Sequence, residues 1–512
     1  MKLKRSYGIL LHITSLPGSS GMGTLGEEAY RFVDFLEKSG ASYWQILPLG
    51  PVSMVHACSP YTSNSTFAGN INLISIDELS KESWFRGKLK QDTLTEKNHV
   101  DFEKILPKRL PVLKKAAENF SQGASEPETL AFEKFCLEES YWLDDYALFS
   151  VLTEKHNTDD WQKWPEPLAE RSPGALEDAA GYHREEIRFQ KFLQYTFFNQ
   201  WKKLKSYCNN KGIEIIGDIP VYVSLEGADA WSHREIFQLD DKTGRPSSVS
   251  GVPPDYFSET GQRWGNPLYR WLNRDESLNE ITYSWWRRRI SHLEKLVDLL
   301  RIDHFRGFES FWAIPADEPT AVKGTWESGP GTLLFDRLKD DLGDLPLIAE
   351  DLGIITPEVE ALRDRYEFPG MKILHFAFDR NNKNSYLPHN IENKNTILYT
   401  GTHDNNTTNG WFYEGDIDEE TQKYIMEYLG NSDFDDMHMQ LTRAAFRSTA
   451  AMVIIPAQDI PGYGKNFRMN TPGTIKGNWR FKLTADCLTE KHSKKLKKMA
   501  DIYRRNPEKE SD

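Results

Sequence analysis

The chain has 512 residues and a formal net charge of −13. That is enough length for a large enzyme core with insertions, and the wrong sign of charge for a nucleic-acid or anionic-membrane partner. Four scattered cysteines without a CxxC pair argue against a disulfide framework and fit a reducing, cytoplasmic compartment, while the lack of any 18-residue apolar span argues against a membrane helix.

The basic start Met1-Lys2-Leu3-Lys4-Arg5 is followed only by Ile9-Leu10-Leu11 before His12, too short for the apolar part of a signal peptide. From there, short apolar runs recur, each ending in a polar or charged residue. The first spans 8–12. A helical pattern at 24–38 follows, with Gly40 placed as its C-cap. The second run, 43–49, is separated from the third, 213–218, by too much chain for one helix. Residues 71–211 are therefore expected to form a mainly helical insertion, with helical texture at 129–154 and 183–207.

A second insertion is expected at 224–291. Within it, 247–271 is rich in Pro, Gly and aromatics and is expected to be a stiff lid or binding loop. The fourth run is 299–303 and the fifth 345–351. A helix is predicted from Pro357, with Thr356 as N-cap. Runs six to eight are 371–378, 397–404 and 452–457, and the basic tail 493–505 is expected to be a solvated helix face.

Near-continuous apolar runs of this length suit strands buried on both faces, as in parallel sheets. Eight of them alternating with helices predict an α/β fold, a (β/α)8 TIM barrel with inserted, mainly helical subdomains, all in one catalytic unit over 1–512. An open doubly wound sheet is the alternative. Active sites of such barrels lie at the C-terminal ends of the strands. Those ends carry Asp218, Asp303, Glu350 and Asp404, so four carboxylates are expected at one mouth.

The densest cluster is Leu300-Arg301-Ile302-Asp303-His304-Phe305-Arg306. Asp303, flanked by Arg301 and His304, is expected to stay ionised, because nearby positive charge favours the carboxylate. Cleaving a glycosidic bond needs one carboxylic acid to protonate the leaving oxygen and one carboxylate to meet the developing oxocarbenium ion. In retaining enzymes the second is a covalent nucleophile about 5–5.5 Å from the first. Asp303 fits the nucleophile. Glu350 fits the acid, since it follows the apolar Pro346-Leu347-Ile348-Ala349 and sits beside Asp351, both of which would raise its pKa. Asp404, after His403, fits a group that grips hydroxyls and stabilises positive charge.

Metal binding is the competing use of such a cluster. No HExxH, EF-hand or Cys/His zinc spacing occurs, nor does a phosphate-cradling GxGxxG or GxxxxGK[ST], nor a nucleophile elbow. No metal and no cofactor are expected.

Several stretches together resemble the 4-α-glucanotransferases of glycoside hydrolase family 77, the amylomaltases and disproportionating enzymes. They are Ser15-Leu16-Pro17-Gly18, Ser59-Pro60-Tyr61, Phe67-Ala68-Gly69-Asn70, Gly217-Asp218-Ile219-Pro220-Val221-Tyr222-Val223, the loop 252–269, Arg301 to Phe308, Ala349-Glu350-Asp351-Leu352-Gly353, Gly401-Thr402-His403-Asp404-Asn405 and Arg468-Met469-Asn470-Thr471-Pro472-Gly473-Thr474. The resemblance implies Asp303 as nucleophile, Glu350 as acid/base and Asp404 as transition-state stabiliser, with Arg301, His304 and His403 around the sugar. It implies donor and acceptor contacts from Asp218, Ser59, Tyr61, Gln262, Trp264 and Asn470. The implied reaction moves an α-1,4-glucan segment to the 4-hydroxyl of another glucan or glucose, without cofactor or essential metal.

Two departures stand beside the site. Asn406 follows Asn405 where the family often has Asp, and Asn70-Ile71-Asn72 stands where Asn-Pro is common. An α-1,4-glucan hydrolase using the same carboxylates, and a glucan-binding protein with a dead site, are the alternative readings. Maltooligosaccharides and α-1,4-glucans are the expected partners. Oligomeric state, and the choice among starch, glycogen and maltose, stay open.

Overall fold

The apolar runs become strands because both of their faces are covered. The structure is a computed structural model that describes residues 1–18, 20–86, 98–254, 258–430 and 436–506. Twelve strands follow one another among these residues: β1 (Ser6–Leu10), β2 (Tyr43–Gln45), β3 (Glu214–Pro220), β4 (Ser248–Val252), β5 (Gln262–Pro267), β6 (Leu299–Asp303), β7 (Ser310–Pro315), β8 (Thr325–Ser328), β9 (Leu347–Ala349), β10 (Gly370–Ile373), β11 (Thr396–Tyr399) and β12 (Met452–Pro456).

Eight of these are hydrogen-bonded in the order β10-β11-β12-β1-β2-β3-β6-β9, every pair parallel. The two ends of that order meet where the Ala349 N–H donates to the Pro369 carbonyl at 2.9 Å, so the sheet curls into the expected (β/α)8 barrel. Several runs outlast their strands. The second stops as strand at Gln45 although Ile46 and Leu47 stay buried, and the seventh stops at Tyr399. Past the last ladder bond the chain stays buried, through Ile46 and Leu47 after β2 and Thr400 after β11.

The first helix, Glu27–Ser39, ends at Gly40 as expected, with φ of 76°, a left-handed conformation that glycine adopts without a side-chain clash. Between β2 and β3 lie the helices Phe102–Gly123, Glu126–Glu138, Ser140–His156, Pro173–Tyr182 and Arg184–Asn210. The last of these buries Phe197, Trp201 and Leu204. It also latches the loop after β2 through two buried amides. Gln194 accepts from the Gly69 N–H at 2.7 Å and donates to its carbonyl at 3.1 Å, and Gln200 treats Ser75 alike at 2.7 and 2.9 Å. Gly69 is required there, since a Cβ would lie 2.0 Å from the Phe197 ring.

The stretch 247–271, expected as an irregular lid, carries two strands. β4 and β5 pair antiparallel and join β7 and β8 in a second sheet of order β5-β4-β7-β8. Half of that sheet comes from the chain after β6. Asp255, Tyr256 and Phe257 of the expected lid lie outside the described residues.

The tail forms the expected basic helix face, with Lys494, Lys495, Lys497 and Lys498 exposed, and differs from expectation at its end. The helix Glu490–Ile502 buries Leu496 and Met499, and Arg505 beyond it is fully buried. Its guanidinium donates to the carbonyls of Phe446, Ser6, Ala451, Ala450 and Ser448 at 2.8–3.2 Å, at the end of the barrel where β1 and β12 begin.

Candidate active site

Side chains two apart on a strand share a face, which brings Arg301 and Asp303 of β6 to the barrel interior together. Asp218 of β3 is registered directly opposite Arg301. One guanidinium nitrogen of Arg301, Nη1, donates to both oxygens of Asp218 at 2.8 and 2.7 Å, and the other, Nη2, donates to Asp303 Oδ1 at 2.8 Å. Burial opposes charge on Arg301, but the carboxylates of Asp218 and Asp303 more than offset it and raise its pKa well above the ordinary value. Burial lifts the Asp218 carboxyl above the usual range while Arg301 pulls the other way. Tyr61 completes the cluster, donating its hydroxyl to Asp218 Oδ2 at 2.8 Å.

Glu350 follows the last residue of β9. Its Oε2 accepts the His304 N–H at 2.7 Å and its Oε1 accepts the Leu352 N–H at 3.0 Å. His304 therefore ties Asp303, its chain neighbour, to Glu350. To present that N–H, His304 takes a left-handed backbone, φ 54° and ψ 52°, a conformation uncommon outside glycine and concentrated at functional sites. Burial raises the Glu350 carboxyl to about 8. Asp303 adds to the rise, and Arg301 and the two N–H bonds act against it.

Asp404 lies beyond β11. Its Oδ1 accepts from Asn470 Nδ2 at 2.6 Å, and its Oδ2 is 3.4 Å from His403 Nε2. Asn405 Oδ1 accepts from the N–H and hydroxyl of Thr402 at 2.8 and 2.9 Å and so pins the turn that presents Asp404. The Tyr61 ring stacks on His403, centroids 5.1 Å apart and planes 15° from parallel.

These groups open on one cleft of about 610 Å³, within the range of small-molecule sites. Ser59, Tyr61, Gln262, Trp264, Asp303, His304, Glu350, His403, Asp404 and Asn470 all line it. Arg301 and Asp218 do not; they lie behind it and reach it through Asp303 and Tyr61. The cleft wall also includes residues with no individual sequence signal: Val55, His56, Tyr222, Asn266, Ile475, Asn478 and Trp479. A charge pattern picks out none of these, although Tyr222 lies inside the motif around Asp218 and Asn266 inside the loop 252–269. Among the described residues, no group of three or more His, Cys, Asp or Glu side chains is arranged to hold a metal ion.

Two expectations change at this level. His304 does not supply positive charge to Asp303, because burial drives its pKa down to about 4, leaving the ring neutral near pH 7. Asp351 does not push Glu350; it is engaged by the Arg363 guanidinium and the Met371 N–H instead. Asn406 stands beside the cleft, as expected, without lining it; its amide donates to Asp416 Oδ2 at 3.0 Å.

A family model described as 4-alpha-glucanotransferase matches residues 11–489. The chain is 44% identical over 511 residues to the 4-alpha-glucanotransferase of Thermus thermophilus, a match covering 99% of this chain and 100% of that one. It is 45% identical over 504 residues to the 4-alpha-glucanotransferase of Synechocystis, covering 98% of each. Among solved structures it is similar to the amylomaltase from Streptococcus agalactiae in complex with acarbose, with a TM-score of 0.92, 39% identity, and coverage of 98% of this chain and 100% of that one.

Proposed function

The chain belongs to the 4-alpha-glucanotransferase family, and from that premise we propose that it moves α-1,4-glucan segments between chains by a retaining, two-step mechanism through a sugar ester on Asp303. The observation that carries this reading is the split between two carboxyl groups on one cleft. Asp303 is held by the Arg301 guanidinium, and Glu350, joined to it through His304, is lifted to about 8 and so carries a proton at neutral pH.

In the first step Glu350 gives its proton to the glycosidic oxygen as that bond breaks, and an Asp303 oxygen bonds to the anomeric carbon. Asp404 lines the same cleft, held by Asn470, and its negative charge meets the positive charge developing on the sugar ring. Tyr61, stacked on His403 and bonded to Asp218, forms the floor beneath that sugar. In the second step an acceptor 4-hydroxyl attacks, its proton passes to Glu350, and Asp303 leaves as a carboxylate. The acarbose-bound amylomaltase supports a sugar chain as the occupant of this cleft.

Incubation with maltotriose tests transfer against the hydrolase reading. Glucose together with maltooligosaccharides longer than maltotriose is expected. Shortened products alone, with a new reducing end for each bond cut, would refute transfer.

A further inference from the structure

The turn after β3 is held unusually firmly for a cleft wall. Arg289, buried on the helix Glu280–Leu296, donates to the Pro220 and Val221 carbonyls at 2.5 and 3.1 Å. The Tyr269 hydroxyl donates to the same Val221 carbonyl at 2.9 Å, and Asn266 Nδ2 donates to the Val223 carbonyl at 2.7 Å. The residue these bonds fix is Tyr222. Its ring lies nearly parallel to that of Tyr269, 6.3 Å between centroids and 17° between planes, and tilts against Trp264 at 6.1 Å.

Trp264 in turn meets His304 edge-on at 4.9 Å. Tyr222 is 8% exposed and lines the cleft. Among the described residues no protein group hydrogen-bonds its hydroxyl, which stands close to Gly307 and the His304 ring: a Cβ on Gly307 would come 3.6 Å from the hydroxyl oxygen and 3.3 Å from that ring. The ring is buried, while its hydroxyl stays accessible from the cleft, where a ligand can reach it.

We propose that Tyr222 is a specificity-determining residue of the acceptor side, whose hydroxyl donates to a hydroxyl of the incoming glucan and so favours transfer over hydrolysis. The inference rests on the roles proposed for Asp303 and Glu350. The acid sits beside the leaving oxygen, and the acceptor oxygen takes that same place in the second step. Tyr222, Trp264 and His304 form one wall, and the His304 N–H holds Glu350, so this wall flanks the acceptor. In that step the acceptor O–H bond breaks, its oxygen bonds to the anomeric carbon, the bond to Asp303 breaks with its electrons returning to the carboxylate, and the proton goes to Glu350. Water can make the same attack. A well-bound sugar displaces it.

Tyr222→Phe removes the hydroxyl and keeps the stacked ring. With α-maltosyl fluoride as donor and glucose as acceptor, the variant is expected to raise the KM for glucose about fivefold, the effect of one lost neutral hydrogen bond. It is also expected to increase the share of donor lost to water, with formation of the Asp303 ester at the wild-type rate. An unchanged transfer-to-hydrolysis ratio would overturn the proposal, as would equal slowing of ester formation and transfer. A wild-type enzyme that forms no ester would overturn the reading beneath it, while the product ratio would still decide the role of Tyr222.

Discussion

One side chain, Arg301, links two others. It spends one nitrogen on Asp218 and the other on Asp303, so the position of the proposed nucleophile is set by a charge that cannot be titrated away near neutral pH. The sequence already showed Arg301 beside Asp303, and the pairing follows from strand alternation. The neutrality of His304 was not legible, because adjacency in sequence says nothing about burial. Nor was the partner of Asp351, which lies twelve residues ahead on a separate helix. Glu350 yields the clearest test at this scale. Burial and the Asp303 charge both favour its protonated form, so the acid persists through neutral pH and is lost as pH rises through about 8. The alkaline limb of kcat/KM, which reports the free enzyme, is expected near that pH and is expected to vanish in Glu350→Gln, leaving low residual activity. A profile flat well beyond it in the wild type would remove the acid assignment.

At the scale of elements, the eight barrel strands were legible because each is a compact apolar run closed by polar residues. The second sheet was not. β4 and β5 carry Gly, Pro and polar residues that suit a loop, and their partner β7 lies after β6, so the pairing depends on contacts distant in sequence. That sheet matters for the site because β5 carries Gln262 and Trp264 to the cleft wall. The latch formed by Gln194, Gln200 and Gly69 is equally invisible before folding, yet it fixes the loop that carries Tyr61. Gly69→Ala is expected to force a methyl group into the Phe197 ring and to destabilise the protein by about 1–3 kcal/mol, the usual effect of overpacking. Thermal or denaturant unfolding would measure it, and an unchanged midpoint would show that the helix Arg184–Asn210 yields easily there.

Across the whole molecule, the barrel keeps its two ends separate. The cleft occupies the end where the strands finish. At the other end Arg505 gathers carbonyls from the start of β1, the approach to β12 and the helix Met437–Arg447. Burial lowers its pKa to about 9, so it remains charged at neutral pH and depends on those carbonyls for its solvation. Arg505→Met is expected to cost on the order of 3 kcal/mol, because several buried carbonyls lose their donor at once. Activity measured well below the melting temperature is expected to stay near the wild-type value, since no cleft residue is touched. A comparable loss of kcat at low temperature would mean that the two ends are coupled.

The central claim is that Asp303 carries the sugar between donor and acceptor. Rapid acid quenching during turnover of α-maltosyl fluoride, followed by peptide mass analysis, tests it directly. A maltosyl group is predicted on the peptide containing Asp303 and is predicted to be absent from Asp303→Asn. A sugar found on Asp404 or Glu350, or steady-state turnover retained by Asp303→Asn, would contradict the account.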